Sequence, residues 1–69
     1  MKVSARNLLK ATVKQVTPGA VSSEVVLELA GGQEVVSIIS KHSAESLELT
    51  PGREGYAVLK ASNVMIAVD

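Results

Sequence analysis

The segment "EVVSIISKHSAESLELTPGREGYAVLK", Glu34 to Lys60, decides the fold. Its first seven residues, "EVVSIIS" (Glu34–Ser40), are rich in β-branched side chains and read as a strand. That strand is apolar on both faces, which implies that both are covered. The pattern then changes. Serines at 40, 43 and 46, with Ala44, Leu47 and Leu49 as apolar positions, fit one short helix. Ser40 or Ser43 is placed to cap it, and Glu45 or Glu48 suits an early turn. "TPGREG" (Thr50–Gly55) ends it, because Pro51 cannot extend a helix and Gly52 and Gly55 favour turns. "YAVLK" (Tyr56–Lys60) is strand again.

Working outward, "AGGQ" (Ala30–Gln33) is a hairpin signal, since Gly-Gly accepts the positive φ angles of tight hairpins. Before it, Val21 to Leu29 alternate: Val21, Ser23, Val25, Leu27 and Leu29 share one face, with Glu24, Val26 and Glu28 opposite. "TPGA" (Thr17–Ala20) is a further turn. From Leu8 onward the chain reads as strand once more, with Leu9, Ala11 and Val13 against Lys10, Thr12 and Lys14. On the other side, "ASN" (Ala61–Asn63) links to "VMIAV" (Val64–Val68), a strand with no polar face that points to a subunit interface. Five strands with one helix between the third and fourth follow the OB plan. The expectation is an all-β, five-stranded OB-like barrel with one short helix, a single domain over 1–69 that assembles as an oligomer.

Composition supports the oligomer. A chain of 69 residues buries only about 60% of its unfolded surface. Small domains usually add disulfides, a metal or a partner. There is no cysteine and one histidine, His42, which cannot make a metal site alone. Yet 46% of the residues are apolar with a single aromatic, Tyr56, which leaves surplus apolar surface for other copies of the chain.

Seven basic residues balance seven acidic ones, which argues against nucleic acid or anionic membranes as partners. The longest apolar run, Val64–Val68, is far short of the roughly 20 residues of a membrane span. No secretory leader is visible, so the expected location is cytoplasmic. No catalytic elbow, phosphate loop or dinucleotide fingerprint occurs, and Glu45 and Glu48 read as a solvated face, so no enzymatic activity is expected.

What remains is a set of hydrogen-bond donors at element ends. Ser4, Arg6 and Asn7 precede the first strand, Ser40 and Ser43 sit at the helix start, and Lys60 and Ser62 flank the last turn. An ionised oxyanion offers only acceptors, and these groups supply donors and positive charge. An oligomeric structural or regulatory module that binds another protein is the alternative, suggested by the apolar "VMIAV".

The stretches "SARN" (Ser4–Asn7), "GAVSSEVVLELAGG" (Gly19–Gly32), "SIIS" (Ser37–Ser40) and "LKASNVMIAV" (Leu59–Val68) resemble the molbindins, small Mop proteins that bind molybdate. The resemblance covers nearly the whole chain. It implies a hexamer, built as a trimer of dimers, that holds molybdate or tungstate at subunit interfaces for storage or homeostasis, with no organic cofactor. It also implies one class of site made by Ser4, Ala5, Arg6, Lys60 and Ser62, completed by Ser40 and Ser43 of a neighbouring subunit, with Asn7 as a helper. A second class near the threefold axis would use Gly19, Ala20, Val21 and Ser22. Two departures stand out: Ser22 where relatives often have Asn, and Leu8 where Gln commonly follows "SARN".

Overall fold

The computed structural model describes all 69 residues, Met1–Asp69. Four strands, β1 (Asn7–Pro18), β2 (Ser22–Leu29), β3 (Glu34–Ser40) and β4 (Glu54–Leu59), form one antiparallel sheet in the order β3-β2-β1-β4. One helix, α1 (Lys41–Ser46), lies between β3 and β4, and a 3₁₀ turn spans Ala61–Asn63.

β1 serves two partners. Its first half, Asn7–Thr12, pairs with β4, and Ala11–Pro18 pairs with β2. The register slips between Val13 and Gln15, leaving Lys14 on a bulge. A bulge bends and over-twists a strand, and here it helps curl four strands into a half-barrel. Lys14 meets Glu34 of β3 in a charge-assisted hydrogen bond, with Glu28 of β2 at 3.8 Å. The core is small: Ala11, Val13, Val25, Ala44 and Ala57, with the hydroxyl of Ser23 among them. No buried polar side-chain atom lacks a hydrogen-bond partner. At the β2–β3 hairpin, Gly32 adopts φ +90°, which confirms the Gly-Gly signal as a matter of backbone sterics.

Several expectations need correction. The helix ends at Ser46, well before Pro51, because a Schellman motif closes it. Glu48 N–H donates to Glu45 C=O and Leu49 N–H to Ala44 C=O, with Glu48 at φ +53° in the position glycine usually holds. No acidic residue lies in the first turn, so Glu45 and Glu48 do not serve its dipole. β4 begins at Glu54 rather than Tyr56.

The five-strand count is not met. Val64–Val68 forms no strand, and Met65, Ile66 and Val68 are 90% or more exposed. A strand needs a hydrogen-bonding neighbour, and this segment has none within its own subunit. The outer face of β3 is also open rather than covered, with Val36 and Ile38 exposed. The chain exposes 5545 Å² in all, against roughly 4,100 Å² for a typical folded monomer of this mass. That surplus, about 1,400 Å², exceeds one partner's share of a standard interface.

Candidate functional site

The candidate residues gather at the two ends of β1. At its start, pairing of Asn7 with Leu59 sets the chain before β1 beside the turn after β4. Ser4, Ala5, Arg6, Lys60 and Ser62 thereby line one open cavity of about 520 Å³, together with Val58 and Ala61. Neither Arg6 nor Lys60 is ion-paired: the ion pairs of the subunit join Lys14 to Glu28 and Glu34, and Arg53 to Glu48. No carboxylate lines the cavity. It is therefore a hollow with two uncompensated positive charges and two hydroxyls. Asn7 starts β1 and is not among the lining residues. Sequence reading missed Val58 and Ala61, which add wall rather than donors. Ala61 was deducible from its place between Lys60 and Ser62, whereas nothing in the sequence marks Val58.

At the far end of β1 lies a second group, where Lys41 shares a cavity with Glu45 and Glu48. Ser40 caps α1, its Oγ accepting from Ser43 N–H at 3.0 Å and bonding Ser43 Oγ at 2.8 Å. That bond uses one of the two hydroxyl protons and leaves the other for an outside acceptor. The turn Gly19–Ser22 adjoins this cluster. Ser22 is the cross-strand partner of Ser40, and Lys41 N–H donates to Val21 C=O at 2.8 Å. Gly19 N–H donates to Ser22 C=O at 2.8 Å, and a Cβ on Gly19 would come within 2.8 Å of that same oxygen. Glycine is therefore required here for the tight turn, whatever else the turn does.

At about 3.4 Å per residue the 12-residue β1 spans roughly 37 Å when extended, comparable to the molecule's longest dimension of 36 Å. The first set of donors is thus divided within one subunit, Ser40 and Ser43 at one end and the other five residues at the opposite end. His42 is exposed, with Ser46 Oγ at 3.5 Å from its Nε2, and no group of three or more His, Asp or Glu side chains is arranged to hold a metal ion.

A cationic, carboxylate-free hollow on an OB-like half-barrel belongs to the class of small ligand-binding domains. The TOBE domain matches residues 3–66. A molybdenum-pterin-binding protein of Clostridium pasteurianum is 53% identical over 66 residues, covering 96% of this chain and 97% of that protein. Among solved structures, MopII from Clostridium pasteurianum in an apo form superposes with TM-score 0.92 at 48% identity, covering 97% of this chain and 100% of the other. The cytoplasmic molybdate-binding protein ModG, solved with molybdate bound, gives TM-score 0.90 at 48% identity over 94% of this chain and 46% of that one. The chain belongs to the TOBE-domain family and, within it, to the Mop molybdenum-pterin-binding proteins, a group whose role is binding rather than catalysis.

Proposed function

We propose that this protein binds molybdate, or tungstate of the same charge and nearly the same size, and holds it in the cytoplasm for storage or homeostasis without chemical turnover. The observation that carries this reading is the hollow lined by Ser4, Ala5, Arg6, Lys60 and Ser62, where two unpaired cations face no carboxylate. A dianion offers acceptors only, so such a lining suits it and repels nothing in it. Arg6 and Lys60 supply charge, and the serines and the Ala5 amide supply directed hydrogen bonds. The molybdate bound to ModG and that protein's cytoplasmic description favour the same ligand and compartment.

The site is completed between subunits. Ser40 and Ser43 lie too far along β1 to reach an anion held by Arg6 of their own chain, so they act on the anion of a neighbour. The turn Gly19–Ser22, beside those serines, forms a second class of site, where Ser22 offers a hydroxyl. The surplus of exposed apolar surface supports assembly, which we take to be a hexamer arranged as a trimer of dimers. Ligand shared between subunits stabilises that assembly by mass action.

Calorimetric titration with sodium molybdate tests the reading. Arg6 is exposed and makes no hydrogen bond within the subunit, so Arg6→Ala leaves the circular dichroism spectrum unchanged. A charge-assisted hydrogen bond is worth about 1.5–3 kcal/mol, so affinity falls at least tenfold. Equal affinity in wild type and variant removes Arg6 from the site, and no heat in the wild type removes the function.

A further inference from the structure

The chain carries no net charge, yet its charges are unevenly spread. Lys2, Arg6, Lys10 and Lys14 all precede its first carboxylate, Glu24. Of these four, only Lys14 is ion-paired, with Glu28 and Glu34. β1 contains no acidic residue, and β4 has one, Glu54, at its first position. Lys60 follows the other end of β4. The β1–β4 ladder therefore runs from a cationic end at Asn7–Leu59 to its sole carboxylate at Thr12–Glu54. A distant dianion feels no pull from a neutral protein taken whole, so any attraction has to come from this segregation.

Arg6 and Lys60 line the hollow, whereas Lys2 and Lys10 do not. Register places Lys10 close by all the same. Leu8 pairs with Val58 and Lys10 with Tyr56, so these four residues share one face of the sheet. Val58 is part of the hollow's wall. Lys10 thus stands two residues from that wall, about 7 Å along the strand. Glu54 is on the same face but four residues from Val58, about 14 Å away. The Debye length at physiological salt is about 8 Å, so an anion at the hollow feels Lys10 and is largely screened from Glu54. Lys2 precedes Ser4 by two residues, at most about 7 Å of chain.

We propose that Lys2 and Lys10 are capture residues, which flank the hollow without touching the bound anion and speed its arrival. This role rests on the oxyanion reading of the hollow. At about 8 Å in water, one positive charge acting on a dianion raises the encounter rate roughly three- to fivefold at low salt, and screening at 0.15 M cuts that to about twofold. The same attraction is present at encounter and after binding, so it changes association and leaves dissociation alone.

Rates measured at two salt concentrations test the role. Calorimetry with sodium molybdate gives Kd, and release to an excess of a catechol chelator, which colours on taking up molybdate, gives koff; the quotient koff/Kd is kon. Lys10 is exposed and its side chain makes no hydrogen bond within the subunit, so Lys10→Gln keeps the fold. At about 0.02 M salt Lys10→Gln lowers kon roughly three- to fivefold and leaves koff unchanged, and at about 0.5 M salt it matches the wild type. Lys10→Glu, which reverses the charge, lowers kon further, and Lys10→Arg restores it. Lys2→Gln behaves as Lys10→Gln does, and the two losses multiply in the double variant. Lys14→Met, which removes a charge already held by Glu34, changes neither rate. A faster koff, or a loss equal at both salts, makes Lys10 a structural or contacting residue and overturns the capture role. Unchanged kon at low salt in both glutamine variants also overturns it, while leaving the hollow as the binding site. A wild type that gives no heat overturns the oxyanion reading and the capture role with it.

Discussion

The two ends of β1 look alike in sequence and differ in physics. Each presents small polar residues where elements begin or stop. At the Asn7 end they surround Arg6 and Lys60, charges that no carboxylate neutralises. At the Pro18 end they are serines whose hydroxyls already bond one another, and whose first duty is to cap α1. The first end attracts an anion from a distance, with a strength that depends on salt. The second carries one cation, Lys41, in a cavity that Glu45 and Glu48 also line, so its serines act chiefly on contact, through directed hydrogen bonds. On the proposed function, a site assembled from both would divide the work of attraction and orientation between two subunits.

Lys60→Ala and Ser43→Ala test that division, and they give the largest expected effects after Arg6→Ala. Removing Lys60 deletes a full charge and a donor, so molybdate affinity falls about tenfold or more at low ionic strength, and the gap narrows in 0.5 M salt as screening weakens the lost attraction. Ser43→Ala removes one hydroxyl donor and costs about three- to tenfold, nearly independent of salt. Its stability is unchanged, because the cap uses the backbone N–H of residue 43 and the hydroxyl of Ser40. Ser40→Ala is the poorer probe, since loss of the cap itself costs about 1 kcal/mol. Titrations at two salt concentrations decide the matter: equal salt dependence for the two variants would erase the distinction between the ends.

Much of this was legible beforehand. The hairpin at Gly31–Gly32, the alternation of β1 and β2, the Ser40 cap and the gathering of Ser4, Arg6, Lys60 and Ser62 follow from local rules that act within a few residues or across one antiparallel pair. Two doubly apolar segments had different outcomes for a reason the alternation does not contain. β3 has β2 beside it and becomes a strand, while Val64–Val68 has no neighbour in its own chain and does not. Apolar pattern states a demand for burial without naming which chain meets it. The early end of α1 escaped for a different reason. Glycine normally marks the left-handed position of a Schellman motif, and here Glu48 occupies it, so the signal was absent.

Glu48 offers the next, smaller test. A non-glycine residue in the left-handed region costs on the order of 1 kcal/mol, and its ion pair with Arg53, 3.8 Å long with Glu48 79% exposed, offsets little of that. Glu48→Gly removes the strain and stabilises the protein by up to about 1 kcal/mol, or about 4–8 °C in melting temperature for a domain of this size. The measurement compares the two proteins at equal chain concentration, so that assembly contributes equally. The motif is at the helix's far end from Ser40 and Ser43, so molybdate affinity does not change. A lowered melting temperature would mean that Glu48 is held by something other than the helix end.

The smallest effect is expected at Lys14, on the bulge between the two ends. Its ammonium is held by the Glu34 carboxylate, and that hydrogen bond and charge, with a lesser pull from Glu28, raise its pKa above the usual 10.5. A raised lysine contributes its stability in full below the unfolded value and loses it as pH climbs through the folded one. The pair is half exposed, so water screens it and the contribution is small at any pH. Lys14→Met accordingly matches the wild type in thermal melts at pH 7 within a degree or two, and whatever gap exists closes as the pH climbs through the raised folded value. Molybdate affinity in the variant equals that of the wild type, since a positive charge already satisfied by Glu34 has nothing left to offer an anion. A variant that bound molybdate several-fold more weakly would show that charge near the middle of β1 reaches the ligand, and the contrast between an end with uncompensated cations and an end where carboxylates offset Lys41 would then fail.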